Sequence, residues 1–278
     1  MKYRIIKPHK LLSPYIRYFS ALDYESAGNV SSQIRVFADR YPHLVFQHNN
    51  GHSAFYKNGD PLPTLFLSGV KIDPYICDVF DHSVVTVTFY PQAVRLLFGI
   101  DVHELNDEVV DMRNFTSVEM TYRLMDASGY QERITILSDY LLSKVLQLKA
   151  TPDLLVTESI QLINDLDLET SIASLTQHFK ISKRQLERRF KSGTGLSPKL
   201  FLRVARFENA VKLIKENNFG NLSNLAFYLN YTDHSHFVKD FKEFSGYTPT
   251  TFSTHNLQTE KVIPDNKIFT INHLLIEK

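Results

Sequence analysis

Between Ser171 and Pro249 one arrangement of residues occurs twice, and a chain that repeats it is constrained to fold that stretch as two similar units. The first copy runs Ile172-Ala173-x-Leu175, Ser182-x-x-x-Leu186-x-x-x-Phe190-Lys191 and Gly195-x-x-Pro198. The second runs Leu222-x-x-Leu225-Ala226, Ser235-x-Phe237-x-x-x-Phe241-Lys242 and Gly246-x-x-Pro249. Apolar residues three and four apart mark two short helices in each copy, with a polar cap where the second helix begins and a glycine where it ends. Two short helices joined by a tight turn are the helix-turn-helix arrangement.

In the first copy Ser182 caps a helix whose Leu186 and Phe190 face inward, so the opposite face presents Lys183, Arg184, Glu187, Arg188 and Lys191. In the second, Phe237 and Phe241 form the inward pair, and His234, Ser235, Val238, Lys239 and Lys242 lie on the other side. Those residue types suit a major groove: arginine reaches guanine bidentately, glutamate accepts from cytosine, valine meets a thymine methyl, and lysine near a helix end meets phosphate. The turn of the second copy holds one more residue than the first. Between the copies, residues 198–216 predict a single helix of roughly 28 Å at about 1.5 Å per residue. Adjacent major-groove segments on one face of a duplex lie roughly 34 to 36 Å apart. Units projecting slightly from such a rod would read two half-sites.

Charge follows the same division. The whole chain carries a net +1, but residues 167–254 hold 13 Lys/Arg against 8 Asp/Glu, whereas residues 1–166 hold 15 against 19. The repeated part is the basic part, as contact with a polyanion requires. The single cysteine, Cys77, excludes internal disulfides and cysteine-rich zinc fingers. No apolar run approaches the roughly 20 residues of a membrane-spanning helix, and the amino terminus lacks the apolar centre of a secretory signal. A cytoplasmic protein is expected.

Residues 1–90 read as β-prone runs at 36–37, 44–48, 53–56, 64–68, 75–79 and 84–90, separated by turn residues such as Asn49-Asn50-Gly51, Asn58-Gly59-Asp60-Pro61 and Asp81-His82-Ser83. A short helix is expected at 93–98, an amphipathic one at 131–149 and another after Thr151-Pro152-Asp153. These helices either cover a sheet or pair with another subunit. The expected class is therefore α+β: a β-rich sensing or dimerising domain with accessory helices at 1–150, a helical linker at 151–166, the reader at 167–254 and a tail at 255–278. The length suffices for two domains with their own cores.

The repeated region resembles the AraC/XylS family of bacterial transcription regulators. The resemblance spans about residues 168–252 and rests on Ser182, Leu186, Phe190-Lys191, Gly195-Leu196-Ser197-Pro198, Arg206-Phe207, Ala210, Leu225-Ala226, Asp233-x-Ser235-x-Phe237, Phe241-Lys242, Gly246 and Thr248-Pro249. It implies that the helices beginning near Ser182 and Asp233 enter adjacent major grooves of double-stranded DNA. Two positions depart from the pattern: Asn230 stands where a glycine is usual and Thr176 where an alanine is. Asparagine tolerates a left-handed backbone, so the turn is expected to form. Phe89-x-Pro91, Leu97-Phe98-Gly99 and residues 105–110 resemble an uncharacterised domain that precedes the reader in other members. The partners implied are DNA, RNA polymerase, a small-molecule effector and a second copy of the chain.

Competing chemistry is limited. His43, His48 and His52 would meet a metal only if a hairpin brought them together, and no acidic partner is evident. Asp233, His234 and His236 read as a helix start rather than a ligand set. Cys77 lies among apolar neighbours, and the aromatic residues Phe46, Phe55, Tyr56, Phe66, Tyr75, Phe80, Phe89 and Tyr90 read as core in preference to a pocket. No catalytic residue, metal site or cofactor is expected. The alternative is a DNA-modifying or metal-dependent enzyme with the same reader; an alkyl-transferring repair protein of that kind would need reactive cysteines, which a lone Cys77 does not supply.

Overall fold

The computed structural model describes residues 2–24, 32–48, 53–80, 82–105, 108–164, 170–216, 219–260 and 274–277. The amino-terminal half is built from two antiparallel sheets. The first has the order β1 (Lys2–Ile6), β2 (Ile16–Tyr24), β9 (His82–Phe89), β4 (His43–His48), β7 (Leu65–Ser68) and β10 (Val109–Asp111). The second has the order β11 (Leu274–Glu277), β3 (Ser32–Val36), β8 (Tyr75–Val79), β5 (Phe55–Lys57) and β6 (Asp60–Pro61).

Strand β9 is rich in β-branched residues and sits between β2 and β4, with Val87 opposite both Phe19 and Leu44. Strands β4, β7, β8 and β9 coincide with β-prone segments of the sequence and β3 touches one at Val36, whereas β1 and β2 do not. Strand β2 interleaves Arg17, Ser20 and Asp23 with Ile16, Phe19 and Leu22, and it becomes a strand because β1 and β9 pair with it on either side. Of the turn expected at Asp81-His82-Ser83, His82 and Ser83 already belong to β9, and Asp81 lies outside the described residues. Asn49-Asn50-Gly51 and His52 lie outside the described residues.

Helix α1 (Pro91–Phe98) follows β9, and α2 (Val118–Asp126), α3 (Tyr130–Leu146) and α4 (Leu154–Asn164) come next. Helix α3 falls where the periodicity places it and buries Ile134, Leu137 and Leu141. It covers the first sheet, and Arg133 reaches across to Ser83 Oγ at 2.6 Å and His48 Nε2 at 2.9 Å. Helix α2 was not apparent in the sequence; its Ser117 cap accepts from Met120 N.

The carboxy-terminal part contains α5 (Ile172–Phe179), α6 (Lys183–Thr194), α7 (Pro198–Lys215), α8 (Leu222–Tyr228), α9 (His234–Ser245) and α10 (Pro249–Glu260). It does not keep a core of its own. Leu175, Leu186, Phe190 and Phe201 join one continuous apolar cluster with Phe19, Val87, Leu97, Val156 and Ile160. Phe37 and Ala38, from the segment after β3, join Phe207, Phe241, Phe244 and Phe252 in a second. The sequence expectation of separately buried cores is met only in part: Leu22, Ile34, Val45, Phe55, Phe66, Cys77 and Val84 form a cluster within the first half alone, whereas the other two clusters join both parts, because the basic helices have apolar faces on the side away from their cations. The seam is locked by Arg40, whose Nε donates to Glu208 Oε2 at 2.9 Å, with both side chains buried. Ala38 N donates to Phe244 O at 2.9 Å. The tail returns to the first half, where β11 pairs antiparallel with β3 as an edge strand; residues 268–271 lie outside the described residues.

Candidate nucleic-acid interface

Each unit is fixed by its own short-range chemistry. Ser171 caps α5 and accepts from Ser174 N, and Asn221 caps α8 and accepts from Asn224 N at 2.8 Å. The turns that follow are the same motif. Lys180 (φ 51°) and Asn230 (φ 60°) are both left-handed; their amides donate to Gln177 O and Phe227 O, and the next amides, of Ile181 and Tyr231, donate to Thr176 O and Ala226 O. Asn230 therefore adopts the conformation that its replacement of glycine demands. The extra residue of the second turn follows this point: Ile181 alone separates Lys180 from the cap Ser182, whereas Tyr231 and Thr232 separate Asn230 from the cap Asp233.

The second helices are matched in the same way. Ser182 accepts from Gln185 N at 3.2 Å while Gln185 Oε1 accepts from Ser182 N at 3.0 Å, a reciprocal capping box. Asp233 Oδ1 accepts from His236 N at 2.8 Å. Helix α6 ends at Gly195 (φ 76°) and α9 at Gly246 (φ 78°), whose amides donate to the carbonyls of Lys191 and Lys242. Those two lysines thus hold equivalent places in the last turn, where the helix dipole favours a cation.

With Leu186 and Phe190 fully buried, α6 turns Lys183, Arg184, Glu187, Arg188 and Lys191 to solvent. Lys183 Nζ lies 3.9 Å from a Glu187 oxygen, a loose pair of exposed groups. Arg189, on the neighbouring face, is committed elsewhere: its Nε donates to Asp153 Oδ2 at 2.8 Å, and that bond holds the Asp153 carboxyl below its ordinary value. Helix α9, with Phe237 and Phe241 buried, exposes His234, Ser235, Lys239 and Lys242 and leaves Val238 half-buried between them. Its acids are paired with α7, although Glu243 stays exposed and borders the same surface as Lys239 and Lys242. Arg203 of α7 donates to Asp240 Oδ1 and Glu243 Oε2, each at 2.7 Å, and those bonds raise its own pKa. Each set of expected contact residues therefore shares one helix surface, and α7 joins the two units as an unbroken helix of 18 residues.

The other chemical candidates are absorbed by the fold. His43 and His48 stand at opposite ends of β4, the first on Asp39 (Nε2 to Oδ2, 2.9 Å) and the second on the Arg133 guanidinium; burial, with that neighbouring charge, lowers the His48 pKa, and the guanidinium opposes a metal cation. The acidic partner that the sequence did not reveal is thus Asp39. His236 and Asp233 serve the start of α9. Burial pushes the Cys77 thiol up to about 12, the state of a packed rather than a reactive cysteine. Asp101, His103 and Glu104 bring three ligand-type atoms within 4.8 Å of one another, yet Asp101 Oδ1 already faces Arg95 Nε at 3.1 Å. Phe46, Phe55, Phe66 and Phe89 are core, as expected, although Phe55, Phe66 and Tyr75 also border a cavity.

Residues 175–255 match the family model of a helix-turn-helix domain, HTH_18, and residues 4–111 match a domain of unknown function, DUF6597. No curated protein matches the chain. Among solved structures, ToxT from Vibrio cholerae is 12% identical, with 85% of this chain and 98% of that chain covered, at a TM-score of 0.46. A transcriptional regulator with an AraC-type DNA-binding domain from Chromobacterium violaceum is 22% identical, with 37% and 93% covered, at 0.34. The DNA-binding domain of AdpA, in complex with a target DNA, is 19% identical, with 40% and 97% covered, at 0.35. The chain thus carries a helix-turn-helix domain at residues 175–255 behind a domain of unknown function, DUF6597, at residues 4–111.

Proposed function

We propose that α6 and α9 enter two successive major-groove segments of one DNA duplex. The observation that carries this reading is the matched capping and solvent exposure of the two helices at either side of α7, whose 18 residues make a rod of about 27 Å. Arg184 and Arg188 are assigned to base edges, Glu187 to a cytosine amino group or to the orientation of Lys183, and Lys191 to phosphate. In the second unit Val238 is assigned to a thymine methyl, Lys239 to guanine or phosphate, and His234, Ser235 and Lys242 to the backbone. Footprinting of the full chain on a selected site tests this. Two protected patches one helical turn apart are expected; protection of a single turn would refute the assignment.

The division of labour proposed is a signal-receiving domain at 1–150, a linker at 151–166, the reader at 167–254 and a tail at 255–278, acting in the cytoplasm with RNA polymerase as the downstream partner. Sensing is favoured by a cavity between the two sheets. Dimerisation is favoured by α2, which leaves Val118 and Tyr122, one turn apart, more than half exposed. Among the described residues no helix is long and apolar enough to cross a membrane.

A further inference from the structure

Helix α1 of the amino-terminal half starts at Pro91 and stops at Gly99 (φ 71°), whose amide donates to Arg95 O at 2.9 Å. It buries Ala93, Val94 and Leu97 in the first core, which leaves Gln92 and Arg95, three positions apart, on a neighbouring face. That face meets the last turn of α6. A Cβ on Gly193 would lie 3.3 Å from Gln92 Cγ, and Arg95 Nη1 donates to Ser192 Oγ at 3.3 Å. Gln92 is spent on the start of α4: its Nε2 donates to Asp153 O and Thr157 Oγ1, each at 3.1 Å, and its Oε1 accepts from Asp153 N at 2.7 Å. Arg95 is held without being used up. Its Nε lies 3.1 Å from Asp101 Oδ1, its side chain is 57% exposed, and a guanidinium has five N–H donors to place.

Ser192 also ends a row on α6. Arg184, Arg188 and Ser192 follow one another at four-residue spacing and are all exposed, so they share one side of the helix with the expected base-reading cations. The step from Arg188 to Ser192 is about 6 Å along the axis. Serine carries no charge, but the guanidinium resting on its hydroxyl supplies one at that step from a residue 97 positions away. Helix α6 has 12 residues and a length of about 18 Å, against a major groove about 12 Å wide. A helix that reads base edges with its first turns therefore brings its last turn to the phosphate backbone. Arginine suits that place, since its planar fork matches a phosphate and a carboxylate on Nε fixes the plane of the fork.

We propose that Arg95, oriented by Asp101, binds a DNA phosphate beside the α6 half-site, so that the amino-terminal half touches DNA directly. This rests on the reading that α6 enters a major groove. Binding of the full chain to its selected site is measured against salt for the native sequence, Arg95→Ala, Asp101→Asn and the double variant. Methylphosphonate substitution of each phosphate around the α6 half-site is tested alongside. Arg95→Ala is expected to make the slope of log affinity on log salt shallower by about 0.9, both alone and in the Asp101→Asn background. Neutralising one phosphate is expected to weaken the native chain and to leave Arg95→Ala unaffected. The thermal midpoint is expected to stay close to native, because an exposed ion pair contributes little. A slope change that vanishes in the Asp101→Asn background would mean that Arg95 only neutralises Asp101, and would overturn the contact. So would a phosphate map that is the same with and without Arg95, or a lowered midpoint with an unchanged slope, which would make Arg95 a structural link between α1 and α6. A native chain that protects no α6 patch refutes the groove reading and this contact with it; one that keeps both patches while ignoring Arg95 refutes this contact alone.

Discussion

The two helix-turn-helix units are alike in backbone and unlike in chemistry and setting. Caps, left-handed turn residues and terminal glycines correspond one to one, apart from the residue added after Asn230. Yet α6 displays four cations on its outer face, whereas α9 displays two lysines beside a histidine, a serine and a valine, with Asp240 and Glu243 tethered to Arg203. The surroundings differ too. The glycines of α6 touch the amino-terminal half closely, since a Cβ on Gly193 would lie 3.1 Å from Val156 Cγ1 and one on Gly195 would lie 3.2 Å from Val102 Cγ1. Helix α9 meets that half mainly through Phe244 and Gly246, against residues 35–38. One scaffold thus supports a strongly electrostatic reader set into the first core and a milder reader held by a single segment of chain.

The largest effect is expected where both units depend on the same anchor. Glu208→Gln leaves the buried Arg40 guanidinium with a neutral partner, and removal of one member of a buried pair costs about 3 to 5 kcal/mol. Urea denaturation of the full chain is expected to show that loss, with Arg40→Met combined with Glu208→Leu recovering much of it. A loss below about 1 kcal/mol would mean that the seam is held by apolar contact alone.

Next in size is the contrast between readers. Arg188→Ala should weaken binding by roughly 1 to 3 kcal/mol and relax preference at one base pair, while Lys239→Ala should cost less. Competition binding against a base-substituted site series distinguishes the two, and equal losses on every sequence would move Arg188 to phosphate. Lys242→Ala should reduce the salt slope of binding by about one unit. An unchanged slope would remove Lys242 from the contact set.

Smaller effects concern the shared backbone. Alanine at either terminal glycine must adopt a left-handed conformation costing about 1 to 2 kcal/mol. Gly195→Ala is expected to lose more than Gly246→Ala, because the first Cβ would meet Val102 and the backbone of His103, whereas the second meets the movable end of Arg35. Equal thermal shifts would show that the settings do not differ as described. Conversely, Lys180→Gly should stabilise by up to about 1 kcal/mol and Asn230→Gly by less, since asparagine already tolerates φ near 60°.

The least effect is expected at Arg189. Its hydrogen bond lowers the Asp153 carboxyl, so the stabilisation is present above the ordinary carboxylate pKa and fades as pH falls through the lowered one. Arg189→Ala should raise the Asp153 pKa in a carboxyl NMR titration and flatten the acid limb of stability, with at most about 1 kcal/mol lost at neutral pH.

These contrasts explain what could be read from residues alone. The reader was legible because its determinants are local: Ser182 with Gln185, Asp233 with His236, and the turn at Asn230 all act within five residues. The same holds for α3, whose Ile134, Leu137 and Leu141 declare its buried face. Strand β2 was not legible, because Arg17, Ser20 and Asp23 break the apolar pattern and only β1 and β9, brought from elsewhere, complete its pairing. The seam was invisible for the same reason: Arg40 and Glu208 are 168 positions apart, and neither carries a local sign of its partner. The cavity-bordering set is equally non-local, since Asp39 and Lys71 meet in an isolated bridge outside the strands.

The two-groove reading is tested most directly by hydroxyl-radical footprinting of the full chain on its selected site, in dilute salt. Two protected patches on one face of the duplex, centred about 10 to 10.5 base pairs apart, are expected; the patch assigned to α6 should fade in Arg184→Ala/Arg188→Ala and the other in Lys239→Ala/Lys242→Ala. A single protected patch, or two on opposite faces, would contradict it.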